Sequence, residues 1–197
     1  LGLKNVTLMM HGWGSVIGFD YASRHAENVK ALAFYESHLR VADNWDQLSL
    51  PVQQLAAKLT RPEMAYRAIV EQNYLLKKIL PGGAVDTLPD DVIEAYERPF
   101  QTADSRKVLW QYVQELPLGK AETPASKIID RYSQWLVQTD IPKLMLYAVP
   151  GFITTLDTVQ WAKKNLKQLT LSPLDDVLHF AQESIPELFS EKLKVWY

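Results

Sequence analysis

Residues Val6-Thr7-Leu8-Met9-Met10-His11 form an apolar run that ends on Gly12-Trp13-Gly14-Ser15. A run of this length and character reads as a buried strand. The glycine-flanked turn leads at once into a helical stretch at about 14–26, and a second apolar run, Val29-Lys30-Ala31-Leu32-Ala33-Phe34-Tyr35, follows. Strand, helix and strand at this spacing make a βαβ unit, which implies a parallel sheet. The turn has the shape of a nucleophile elbow, in which a strained strand-to-helix turn pushes one side chain into an active site. Gly12 stands where that side chain belongs, and glycine has none.

The rest of the 197 residues alternate less regularly. From about 40 to 140 the periodicity is helical. It predicts helices over Asn44 to Leu59, from Thr60-Arg61-Pro62-Glu63 through Ile79, from Pro89-Asp90-Asp91, over 103–115 and over 125–138. Pro81-Gly82-Gly83 is a stop signal. Strand character returns at Lys143 to Ala148, followed by a helix at about 156–165, a strand at Gln168 to Leu171 and a closing helix from Pro186. The expected class is therefore α/β: a parallel sheet flanked by helices and interrupted by a helical insertion of about 100 residues. Four strands make a thin sheet, and an apolar strand left at its edge is an aggregation hazard. The chain opens on Leu1 rather than Met, one short loop from a strand. It reads as the C-terminal part of a larger α/β protein with a truncated or processed start.

Composition removes several function classes. Net charge is −2 and no Lys/Arg block stands out, which argues against nucleic acid or an anionic membrane as partner. The absence of cysteine excludes disulfides, cysteine nucleophiles and thiolate metal sites. No apolar run reaches spanning length and no signal-peptide pattern is present, so a cytoplasmic location is the default expectation.

An ordered string of segments then resembles one family. The segments are His11-Gly12-Trp13-Gly14-Ser15, Tyr35-Glu36, Ile79-Leu80-Pro81-Gly82-Gly83, Tyr96-Glu97-Arg98-Pro99-Phe100, Glu115-Leu116-Pro117-Leu118, Pro142-Lys143-Leu144, Pro150-Gly151 and Leu178-His179-Phe180-Ala181-Gln182-Glu183. In this order they are similar to the C-terminal two-thirds of haloalkane dehalogenases, which have the α/β-hydrolase fold. Coelenterazine luciferases share much of the pattern, including Pro150-Gly151-Phe152. The resemblance implies a core made of 1–38 and 141–197 and a helical cap over 39–140. It implies a cofactor-independent hydrolase that turns a small apolar halogenated substrate into an alcohol and a halide ion through an alkyl ester. Glu36 would be the orienting acid, His179 the base and Trp13 the halide donor. Gly12 occupies the position of the attacking carboxylate, where the family has Asp. The second halide donor and the oxyanion loop lie upstream of Leu1 in the family. Oligomeric state is not implied.

Each residue also has a plainer reading. His179 lies between apolar residues and would serve as a hydrogen-bonded core histidine. Glu36 at a strand end would serve as a cap or surface charge, although strand ends are where α/β sites open. Trp13 would serve as core packing. His11 and His25 read as structural, and His38 as a hinge of the insertion. Asp157 ranks as a distant second to Glu36 for the acid. Leu75, Leu76, Leu80, Trp110, Tyr112 and Val113 would roof an apolar pocket or simply form a helical core. Without a carboxylate at Gly12 no alkyl ester forms, so turnover is expected to be negligible. The alternative is a binding or interaction protein on the same scaffold; a luciferase is the more distant option.

Overall fold

The computed structural model describes residues 2–59, 61–116 and 122–197, with the side chains of residues 58 and 59 outside that set. Thr60 and the Pro117-Leu118 part of the sequence motif also lie outside the described residues. Four strands, β1 (Val6–Gly12), β2 (Val29–Ser37), β3 (Lys143–Tyr147) and β4 (Leu169–Pro173), form one parallel sheet in the order β1-β2-β3-β4. Helices α1 (Trp13–Arg24) and α8 (Leu156–Asn165) follow β1 and β3.

Alternation along β2 sorts its side chains to two faces. Leu32 and Phe34 join Met10, Phe19, Tyr132, Leu136, Met145 and Val159 in the core beneath α1, α8 and α7 (Pro124–Gln138). Ala33 and Tyr35 join Leu144, Leu146 and Phe189 under α10 (Pro186–Trp196). The central strands are thus covered on both faces, as a parallel sheet requires. Between β2 and β3 lie α2 (Leu50–Leu59), α3 (Pro62–Tyr66), α4 (Leu80–Gly82), α5 (Asp90–Glu97), α6 (Lys107–Gln114) and α7; a short α9 (Ala181–Ser184) precedes α10. Among the described residues no helix is long and apolar enough to cross a membrane.

Several expected helices are broken, each for a local reason. The stretch expected over Asn44 to Leu59 is a single 3-10 turn at Trp45–Gln47, an extended Leu48, and then α2. Asn44 accepts from Asp46 N–H at 3.1 Å and Ser49 Oγ from Val52 N–H at 3.3 Å, so two capping side chains start two separate elements. The stretch running through Ile79 is interrupted at Asn73, which holds a positive φ of 55°. Wide π-type turns flank it at Arg67–Glu71 and Leu75–Ile79. The helix expected from residue 103 begins at Lys107, because Thr102 and Ser105 bond each other into a turn.

Lys143 is fully buried at the start of β3. Its Nζ donates to the carbonyls of Thr139, Ile141 and Lys167 at 2.9, 2.8 and 3.0 Å. The ammonium thereby joins the ends of α7 and α8 to the sheet. Lys143→Met keeps the volume and strands three carbonyls, so it is expected to destabilise the fold by about 3 kcal/mol. A urea midpoint equal to that of the unmodified protein would exclude this role. The outer edge of β1 has no strand beside it among the described residues, and Met9 is 42% exposed on that strand. The chain is therefore expected to self-associate in a way that Met9→Lys reduces. A monodisperse monomer by size-exclusion chromatography with light scattering would contradict this.

Candidate active site

The site is built at the C-terminal ends of β1 and β2. At the end of β1, Gly12 has φ 52° and ψ −128°, a backbone state that L side chains rarely adopt. Here the turn itself requires glycine's freedom or a strained substitute. Ser15, fully buried one turn into α1, locks the turn by donating from Oγ to the Gly12 carbonyl at 2.6 Å. The same Oγ accepts from the His38 backbone N–H at 3.0 Å, which ties the elbow to the segment after β2. A Cβ on residue 12 would meet His179 Nε2 at 3.7 Å and Cε1 at 3.8 Å, ordinary contact distances. A side chain at this position would therefore point at the His179 ring.

At the end of β2, Glu36 is 1% exposed and holds a positive φ of 47°. Its Oε2 accepts from Ile153 N–H at 2.7 Å and from His179 Nδ1 at 2.9 Å, and its Oε1 accepts from Thr154 N–H at 3.0 Å. Burial by itself would push this carboxyl up. The hydrogen bond and charge of His179 and the two backbone N–H groups outweigh it and hold the carboxyl below its ordinary value. A carboxylate only accepts, so His179 carries its proton on Nδ1. The other ring nitrogen, Nε2, lies on the side facing Gly12.

Two further histidines surround the pair. His11 Nε2 donates to the His179 carbonyl at 2.8 Å, and the two rings lie 4.4 Å apart. His38 packs 5.5 Å from the Trp13 ring and is 9% exposed. Its carbonyl accepts from the Tyr132 hydroxyl, while the Tyr35 hydroxyl holds the Leu178 carbonyl next to His179. Burial, then the nearby charge of His179, pull both His11 and His38 from 6.5 to about 4, so both are neutral near pH 7. His25 lies elsewhere, its ring beside Tyr21.

A cavity of about 330 Å³ is lined by Gly12, Trp13, His38 and His179 together with apolar side chains that include Leu39, Val52, Leu75, Leu76, Leu80 and Val113. Its size is that of a small-molecule site. The wide turn at Leu75–Ile79 lies along its wall, as does Tyr112, stacked 5.4 Å from Trp13. Trp110 does not line it; that ring packs edge-on against Tyr66 at 5.5 Å. Asp157 lies on the wall but pairs with Arg40 at 2.5 Å, whereas His179 is bonded to Glu36. Among the described residues no group of three or more His, Cys, Asp or Glu side chains could hold a metal ion.

Sequence reasoning thus placed Gly12, Trp13, Glu36 and His179 together but missed the supports. Ser15, and the Ile153 and Thr154 amides, carry no residue-type signal. The Pro150-Gly151 motif was the available clue: a Cβ on Gly151 would come within 2.2 Å of Glu36 Oε1.

The buried neutral histidines give stability a pH dependence. Their folded values of about 4 lie below 6.5, so unfolding takes up protons between these limits and stability falls as pH falls. Glu36, held below its ordinary 4.5, has the same sign at lower pH. The slope is expected to reach about 2.7 kcal/mol per pH unit, two protons' worth, and His38→Phe should remove about half of it. Urea titrations across this range that gave a flat profile would refute the assignment.

No family model matches the chain. Curated haloalkane dehalogenases do. The protein of Agrobacterium fabrum strain C58 is 31% identical over 196 residues, covering 100% of this chain and 64% of the relative. That of Mycolicibacterium smegmatis is 30% identical over 194 residues, covering 95% of this chain and 60% of the relative. The chain therefore spans less than two thirds of the length of these curated relatives. A single-substitution mutant of the haloalkane dehalogenase of Agrobacterium tumefaciens C58 superposes with a TM-score of 0.90 at 30% identity, covering 98% of this chain and 67% of that one. The enzyme of Bradyrhizobium elkani gives 0.91 at 25% identity, covering 99% and 67%. With the parallel sheet and helical flanks above, these likenesses place the chain in the haloalkane dehalogenase family of the α/β-hydrolase fold.

Proposed function

We propose that the chain carries the base, the acid and one halide donor of a haloalkane dehalogenase site, in a form that lacks the attacking carboxylate. The observation that supports this is the Glu36–His179 pair at 2.9 Å, with His179 Nε2 lying 3.7 Å from where a side chain on residue 12 would begin. In the family reaction, a carboxylate at that position attacks the carbon bearing the halogen. The carbon–halogen bond breaks, and the halide leaves with its electron pair toward the Trp13 indole N–H. Water then attacks the alkyl ester, giving its proton to His179 Nε2, and Glu36 stabilises the imidazolium. Alcohol leaves and the carboxylate is restored.

In this reading residues 1–38 and 141–197 are the hydrolase core and 39–140 the helical cap. The substrate is small, apolar and halogenated, in keeping with a cavity that offers little polar recognition. No cofactor enters the reaction, and the location is the cytoplasm. With Gly12 in place of Asp no ester forms, and turnover is negligible. The second reading is a non-catalytic binding protein on the same scaffold, and the missing side chain at Gly12 is what favours it.

The test is Gly12→Asp in the chain preceded by the N-terminal third of the Agrobacterium relative. Halide release from 1-bromobutane is expected from this variant and not from the Gly12 parent. Adding His179→Ala should leave a single burst of halide and an alkyl adduct detectable by intact mass, with steady turnover reduced on the order of 10³-fold. The positive φ at residue 12 should make the Asp variant less stable by about 1 kcal/mol. A folded Asp variant that released no halide would favour the binding reading.

A further inference from the structure

The cavity has a polar side that the proposed reaction does not use. Its lining at His38, Leu39, Leu76 and Leu80 is buried. On one side the lining reaches solvent: Arg40, Ala42, Gln47 and Leu48 are half-buried and Asp157 is exposed. These residues belong to two segments. One leaves β2 toward the helical insertion, and the other runs from Phe152 into the first turn of α8. Two contacts join the segments. The Ser49 hydroxyl donates to the Phe152 carbonyl, and Arg40 pairs with Asp157 at 2.5 Å. Ser49 is buried, so water competes little for its bond. The ion pair differs, with side chains 20% and 51% exposed. A pair within reach of water is weakly held and separates readily. Arg40 also has somewhere to rest when it separates: Asp43 lies at 3.7 Å and the face of Trp161 at 5.4 Å.

From these features we infer that the Arg40–Asp157 ion pair is a latch across the mouth of the cavity, and that neutral apolar ligands enter and leave when it opens. The buried Ser49 bond anchors the two segments, and the half-exposed pair is the contact that gives way. Forcing an apolar ligand between joined charges would cost both their attraction and their hydration. Passage therefore waits until water has separated them. A ligand seated among the leucines does not touch the pair, so the latch is the same in the empty and the filled protein. Its opening then scales entry and exit equally and leaves affinity unchanged.

The inference concerns the cavity of the proposed hydrolase but does not require turnover. Exchange is followed by stopped-flow fluorescence with N-phenyl-1-naphthylamine, a neutral apolar probe. Val113→Trp, which narrows the cavity, should weaken probe binding. Asp157→Asn is expected to raise the entry and exit rates by about threefold each, with Kd unchanged. Arg40→Gln should do the same, and the double variant should be no faster than either single one. Raising NaCl from about 0.05 to 0.5 M should speed exit from the parent more than from Asp157→Asn. Thermal unfolding of each variant checks that it is folded. A merely structural pair would lower the melting temperature without moving the two rates together. Unchanged rates in Asp157→Asn, additive effects in the double variant, a Kd shift carried by one rate alone, or a probe indifferent to Val113→Trp overturns the inference. Faster exchange together with no halide release from Gly12→Asp leaves the latch standing and counts against the dehalogenase reading. Halide release with unchanged exchange rates does the reverse.

Discussion

Glu36 holds a negative charge in a place that water does not reach, and the surrounding loops are arranged to make that tolerable. Its compensation comes from two segments distant in sequence: the amides of Ile153 and Thr154 after β3, and the His179 ring before α9. Removing any of these donors would leave part of a buried charge unmatched, at a cost of several kcal/mol. The loop at 150–155 must therefore close onto the end of β2. Gly151 is required at the closest approach, since any β-carbon there would overlap Glu36 Oε1. Glu36 is thus a structural anchor that joins three segments of the chain.

This explains how the Glu36–His179 pair is held independently of the residue at the elbow tip. Nothing that holds His179 depends on a side chain at residue 12. The ring is fixed by Glu36 through Nδ1, by His11 through its own carbonyl, and by Phe152 and Phe180 packing at 5.2 and 4.8 Å. The elbow is held by Ser15 and not by its tip. Glycine at φ 52° relieves backbone strain that any other residue would carry. With glycine at the elbow tip, Glu36 and His179 therefore stay in register beside a largely apolar cavity.

The sheet was legible in the sequence because apolar runs of five to nine residues bounded by turns have few other uses. The helical insertion was legible in kind but not in detail. A continuous helix over Asn44 to Leu59 fails at Leu48, and the one reaching Ile79 fails at Asn73. Side-chain caps and a left-handed residue override a periodicity that by itself runs on. Trp110 shows the limit of reading a face from spacing alone. On the same helix α6, Tyr112 and Val113 line the cavity, whereas the Trp110 ring meets Tyr66.

By itself the sequence determined the order of strands and helices, the elbow with glycine at its tip, and a short list of residues able to act as acid, base and anion donor. These follow from local chemistry: apolar period, turn residues and titratable side chains at strand ends. Only the tertiary structure decided which of them meet. It gave His179 to Glu36, 143 residues away, and Asp157 to Arg40. It turned His11 from a strand residue into a prop for His179, and it left His38 buried on the cavity wall with a nitrogen unmatched. Charge compensation and burial are long-range properties, fixed only once the chain has closed around them.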